Sequence, residues 1–441
     1  MSNKVKLGFG SIVLLGINSI IGSGIFGLPG NAYSMIGPSS VLVLLFCMIL
    51  AVSIALCFAE AASWFEADGG PYLYAKEAFG DFVGFEVGVM KMAIGIISWS
   101  TLANFFAVTL SAIWPQAAEP FTKNVIITIL VLGLGMINLI GIKSSTILNN
   151  IMTVGKLVPL ILFICVGIFF IKGANFQPFV IVPENTSTSS AFVAVTISLF
   201  YAFTGFESLG VAASDMENPK KNIPKAIVVV MGIVSLVYML VLAVSIGVLG
   251  GGLSGAENPV IDAARVAMGN TGTYIITIGT IISVGGINIA SSIFVPKSVS
   301  SLAEQGLLPK SVAKTNKNNV PYVAIIITMV GTLIIAWSGT FSTLSQISVI
   351  SRFIQYIPTC LGVLILRKKF AGREVNFKIP GGAFVPLFAS GISVFLLIKA
   401  AIDSPEKIAW GLGGMVLAVP LYFYMTKVYN KKDKNKDLLG A

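Results

Sequence analysis

The run SIVLLGINSIIGSGIFGLPG, Ser11 to Gly30, decides how the chain is read. Its core, GSGIFG, has the spacing G-x-G-x-x-G, which in a soluble α/β protein marks a dinucleotide-binding turn. That turn needs a strand before it, a helix after it and an acidic residue about 20 positions on. Here the glycines lie inside one apolar run, with no separate strand and no such acid. Two readings remain. Small residues let helices approach closely in a membrane. Alternatively, Gly22, Ser23 and Gly24 in succession, with Pro29 soon after, break the helix. Unwound backbone at membrane depth survives only when buried in protein or lining a cavity. Its free N–H groups, at the positive end of a half-helix, would hold a carboxylate.

Composition supports the membrane setting. Of 441 residues, 55% are hydrophobic and 11% charged, and mean hydropathy is +0.90. A soluble domain carries about 25% charge. At about 20 apolar residues per span, the chain predicts twelve: 8–32, 39–64, 83–112, 124–142, 147–171, 190–213, 226–250, 272–302, 321–338, 343–366, 382–402 and 408–427. The third and eighth are long enough to tilt strongly. With the N-terminus inside, 21 of the 29 Lys and Arg fall in inner segments and only 4 in outer ones. That asymmetry predicts cytoplasmic termini and an even number of spans. The apolar run of the first span is too long for a signal peptide.

The formal charge of +10 does not indicate nucleic acid, because it is split into short clusters between apolar runs. With no His, the commonest general base and metal ligand are missing. Cys47, Cys57, Cys165 and Cys360 lie in apolar runs without a C-x-x-C pair, and read as small buried apolar residues. No cofactor or metal is expected, nor an enzyme. An ion channel would need a continuous polar pore, and no ring of repeated polar residues appears.

The sixth span, FVAVTISLFYAFTGFESLGVAASD, is interrupted at Thr204 and Gly205, with Glu207 immediately after. Interrupted spans at corresponding positions, five spans apart, point to the binding site of a transporter built from inverted repeats.

At this point the chain resembles the amino acid transporters of the amino acid–polyamine–organocation superfamily, and among them the bacterial members like L-amino-acid transporters. The likeness rests on IIGSGIF, on GGPYLYAKEAFG (Gly69 to Gly80), on FTGFES, on MENPKKNIPKAI (Met216 to Ile227) and on EQGLLPK (Glu304 to Lys310). It covers residues 8 to about 370. It implies an all-α, LeuT-like fold of two inverted five-span repeats, 8–171 and 190–366, with broken first and sixth spans and two extra spans at 382–427. Short cytoplasmic segments at 1–7 and 428–441 would flank these. It also implies a multi-pass protein of the cell membrane whose partners are the lipid bilayer and an amino acid; no partner subunit is named. The substrate carboxylate would meet N–H groups at Gly22, Ser23, Gly24 and Ile25. Its amino group would meet carbonyls of Ile20 and Ile21, and of Tyr201, Ala202 and Thr204 beside Gly205. Phe200, Tyr201 and Phe203 would line the side-chain pocket.

Charges inside spans need a partner or a cavity. Lys156, in IMTVGKLVPLILF, either snorkels to the cytoplasmic face or, as in sodium-independent relatives, contacts carbonyls of the broken first helix and hydroxyls among Ser283, Ser291 and Ser292. The second reading makes it a tethered substitute for sodium, so no bound sodium is expected. Glu207 is a coupling or gating carboxylate, or a structural one, with Lys91 as candidate partner. Arg352, in VISRFIQY, lines the inner vestibule or pairs with an unnamed acid. Tyr356, one turn on, closes the inner path or simply packs. Glu60 and Glu86 are assigned to salt bridges near cytoplasmic span ends. Apolar and aromatic pocket walls favour small or medium neutral L-amino acids, by exchange rather than proton symport. A basic amino acid or polyamine antiporter, with Glu207 facing a substrate amine, is the rival.

Overall fold

The computed structural model describes residues 6–65, 70–141, 146–210, 216–373 and 375–429. Gly69, the end of the sixth span at 211–213 and the tail from 430 lie outside the described residues. Within them the chain is helical, with one isolated bridge between Leu7 and Met216. Fourteen α-helices run in order: α1 Phe9–Ile20, α2 Ser23–Ile36, α3 Ser40–Ser63, α4 Pro71–Phe79, α5 Asp81–Leu110, α6 Pro120–Ile140, α7 Thr146–Gly167, α8 Thr188–Phe200, α9 Pro219–Leu249, α10 Pro259–Glu304, α11 Tyr322–Ser338, α12 Phe341–Lys369, α13 Phe384–Asp403 and α14 Pro405–Phe423. Nine stretches of the described chain are long and apolar enough to cross a membrane, the first being Phe9–Ser63. Thr188–Phe203 and Tyr322–Ser338 are shorter apolar helices.

The predicted eighth span, 272–302, is the C-terminal part of a longer element. α10 begins at Pro259 and turns at Gly269, whose φ is +65°. The short helix before that turn carries Asp262 and Arg265 and was not visible as an apolar run. α4 lies within the GGPYLYAKEAFG motif. It is amphipathic, too short to span, and packs along α5 and α12.

Two kinds of helix surface explain the layering. α1, α2, α3, α8 and α9 interlock in one apolar core. Outer helices turn large apolar side chains outward: Ile129 of α6, Ile398 of α13, and Trp410 and Leu417 of α14 are all more than half exposed. In water this surface would drive association, whereas in hydrocarbon it is already solvated. Cys165 belongs to that outward set, contrary to the reading of all four cysteines as buried. It sits on the outward face of α7.

Glu60 is fully buried at the end of α3. Its two oxygens accept from Arg367 Nε and Nη2 of α12, both at 2.7 Å, and Oε2 also accepts from the Ile379 amide at 2.8 Å. Such a fork is the strong form of ion pair. Glu60→Ala removes the acceptors of Arg367 Nε and Nη2 and of the buried Ile379 amide, and an unpaired buried donor costs about 1–3 kcal/mol. A clear fall in detergent melting temperature is expected; an unchanged melting curve would show that the pair is only ornamental. Glu86 departs from the salt-bridge expectation. Its carboxylate is buried, and neither oxygen has a hydrogen-bond partner.

Candidate functional site

The first helix breaks where the glycines predict. α1 ends at Ile20, Ile21 is extended (ψ 100°), and Gly22 takes φ −140°, ψ −144° before α2 begins at Ser23. The N–H groups of Ser23, Gly24 and Ile25 therefore form the first turn of a helix, where no carbonyl one turn back can accept from them. All three residues are buried. The second break is graded. α8 gives way to a 3-10 turn at Tyr201–Phe203, Thr204 is extended, and Gly205 has φ +117° before a second 3-10 turn at Phe206–Gly210.

The two breaks touch. A Cβ on Gly24 would lie 2.6 Å from Ala202 Cα, and one on Gly205 would collide with the Ser19 carbonyl. Ser23 Oγ and Tyr201 Oη are 3.3 Å apart across the same gap. The structure thus brings Ile20 to Ile25 and Tyr201 to Gly205 into one cluster. The three aromatic side chains diverge. Tyr201 packs near Phe341 and Phe200 near Phe353 and Tyr356, while Phe203 turns to Tyr238 of α9.

The carbonyl end of α1 is a cation site already filled from within. Lys156 is fully buried, so it does not snorkel. Its Nζ donates to Ile21 O at 2.6 Å and Asn18 O at 3.1 Å. Tyr238 Oη donates to Ile20 O at 3.1 Å, and Ser283 Oγ reaches Ile21 O at 3.5 Å. Of the three serines considered for Lys156, Ser283 alone shares its acceptor. Ser292 instead accepts from Asn138 Nδ2 at 2.9 Å. A cation beside these carbonyls suits the negative end of α1. Sequence reading missed Tyr238, although a lone tyrosine inside VYMLVLAV on an otherwise apolar helix was the available signal.

Below the second break, Glu207 Oε2 accepts from the Gly205 amide at 2.9 Å and from Tyr356 Oη at 3.2 Å, and Arg352 Nε lies 3.5 Å from Oε1. Arg352 is therefore an ionic partner of Glu207, and Glu207 is an acid for Arg352 that the sequence left unnamed. Lys91 is half-buried on α5. Arg352 Nη2 also donates to Ser98 Oγ at 3.0 Å. Tyr356 stacks on Phe206 with centroids 5.6 Å apart, and Phe58 meets both rings edge-on. These three rings form an apolar plug beside the carboxylate, and Phe58 carried no sequence signal beyond its apolarity.

Two touching helix breaks, with the open N–H groups of α2 facing the backbone of the second break, suit a zwitterion. The comparisons agree. The profile of the amino acid permease family matches residues 7–420. An uncharacterized transporter of Mycobacterium tuberculosis is 33% identical over 422 residues, covering 89% of this chain and 87% of that protein. The chain belongs to the amino acid permease family. This permease is also 27% identical to the branched-chain amino acid permease BcaP of Bacillus subtilis, over 98% of this chain and 95% of that one. It is 28% identical to the serine/threonine exchanger SteT of the same organism, over 96% and 97%. These relatives are transporters, which accords with a multi-pass chain whose helices carry apolar outer faces.

Proposed function

We propose that this permease is a sodium-independent exchanger of neutral L-amino acids, bound between the broken first and sixth spans. Alternating access would follow from the broken helices rocking against the rest of the bundle. In this reading the chain has twelve spans and cytoplasmic termini, lies in the cell membrane, and is two inverted five-span repeats plus two further spans. In support, the 55-residue stretch Phe9–Ser63 holds a turn at Gly37–Ser39 and counts twice. The two shorter apolar helices complete the count.

The observation that carries sodium independence is Lys156 on the α1 carbonyls. A sodium ion placed there would need those same oxygens, beside a fixed positive charge. The substrate carboxylate would cap α2 at Ser23, Gly24 and Ile25, with Ser23 Oγ and Tyr201 Oη at hand. Its ammonium would take the spare lone pair of Ile20 O and the carbonyls of Ala202 and Thr204, whereas the Tyr201 carbonyl already accepts from the Thr204 amide and hydroxyl. Gating falls to Glu207, Arg352 and Tyr356. The basic amino acid or polyamine reading loses ground, because the Glu207 oxygens already serve Gly205, Tyr356 and Arg352. The relatives' names span branched-chain and hydroxyl amino acids, both neutral.

The test is uptake of radiolabelled amino acids into proteoliposomes, with and without a sodium gradient and with and without internal amino acid. Equal rates in sodium and choline, and acceleration by internal neutral amino acid, are expected. Strict sodium dependence would sink the reading, and so would uptake indifferent to internal substrate but driven by a pH gradient.

A further inference from the structure

Arg352 makes less use of its donors than its burial demands. It is 7% exposed. Nη2 bonds Ser98 Oγ, but Nη1 has no acceptor, and Nε, although 3.5 Å from Glu207, lacks hydrogen-bond geometry. A buried guanidinium carries five N–H donors, and leaving them unpaired is costly. Beside it, Ser98 Oγ and Ser348 Oγ lie 3.1 Å apart. These groups sit at the breaks. Phe341, Ser348, Arg352 and Tyr356 follow helical spacing along one face of α12. Phe341 touches the Tyr201 ring at 6.0 Å and Tyr356 the Phe200 ring at 6.2 Å. Arg352 lies between them in the helix, 3.5 Å from the Glu207 carboxylate that accepts from the Gly205 amide.

We infer that Arg352, Ser98 and Ser348 form a polar subsite that takes the hydroxyl or carboxamide oxygen of the substrate side chain. This rests on the transport reading above and narrows its substrate class. An acceptor on the ligand meets the open N–H groups of Arg352, and a hydroxyl can in turn meet Ser98 or Ser348. A side-chain carboxylate is disfavoured, since Glu207 already balances the guanidinium and a second negative charge would be buried unbalanced. An aliphatic side chain leaves the donors unpaired, the situation in which a site built for hydrogen bonding rejects its apolar isostere.

Exchange in proteoliposomes containing the full chain tests this with matched pairs. Threonine and valine differ by hydroxyl against methyl; asparagine and aspartate differ by charge. Threonine is expected to compete roughly ten- to a hundredfold better than valine, and asparagine better than aspartate and leucine. Arg352→Lys keeps the charge opposite Glu207 and loses the fork, so the threonine-to-valine ratio should fall towards one, whatever rate of exchange the variant retains. The wild-type panel decides even if that variant folds poorly. Transport that treats threonine and valine alike, prefers aspartate to asparagine, or keeps full discrimination in Arg352→Lys overturns the subsite and leaves the transporter reading standing. Absence of uptake of every amino acid overturns both.

Discussion

Lys156→Ala is expected to slow exchange about a hundredfold while weakening substrate binding less than about tenfold. The ammonium donates to the Asn18 carbonyl and is the short-range partner of Ile21 O, which Ser283 reaches at 3.5 Å. An unpaired buried acceptor costs about 1–3 kcal/mol. Losing the charge-assisted bonds to both carbonyls reaches the roughly 2.7 kcal/mol that separates rates a hundredfold apart. The cost falls on the packing of α7 against α1, because the lysine ties the broken helix to its neighbour. The carboxylate site proposed at Ser23 to Ile25 lies on α2, beyond the break, and keeps its own geometry. Ile20 O also keeps Tyr238. Rate and affinity should therefore separate, with exchange read by radiolabel and binding by ligand-induced shift in melting temperature. A wild-type rate in the variant would remove Lys156 from the mechanism. Equal losses in rate and binding would make it a packing residue. If 100 mM sodium restored the variant, the lysine would be standing where the ion can stand.

How much of this was legible follows from what each residue type can do alone. A glycine cluster in an apolar run has few uses, so the breaks at Gly22 and Gly205 could be placed to the residue. A lysine in a span must find acceptors, and the carbonyl end of a broken helix is the natural supply, so Lys156 was read correctly as far as its helix. Which hydroxyl joined it was not legible. Ser283, Ser291 and Ser292 differ by rotation about α10, and sequence fixes that rotation only through packing with α5 and α7. Arg352 as a partner of Glu207 was not legible for a similar reason: it depends on α12 bringing Arg352 and Tyr356 to one side of the second break. The fork from Arg367 to Glu60 joins residues 307 apart, a closure that no local pattern encodes.

The sharpest consequence of the touching breaks concerns Gly205. Gly205→Ala is expected to abolish exchange and to lower the melting temperature. Two independent costs coincide there. The backbone holds φ at +117°, a region that L-residues with a Cβ rarely adopt, at about 1–3 kcal/mol of strain. The new methyl would also be driven into the Ser19 carbonyl, on the last turn of α1. A flexible side chain could yield to it, but a backbone carbonyl on a packed helix cannot move without moving α1. That motion would pull the Ile20 and Ile21 carbonyls from Tyr238 and Lys156, and would shift the Gly205 amide from Glu207. Gly232→Ala is the control. It lies inside α9 with nothing within 4 Å of the added carbon, and alanine there favours the helix by up to about 1 kcal/mol. Exchange should survive Gly232→Ala with an equal or higher melting temperature. If Gly205→Ala also transported normally, the two breaks could not be in contact during the cycle, and a substrate held between them would lose one wall of its site.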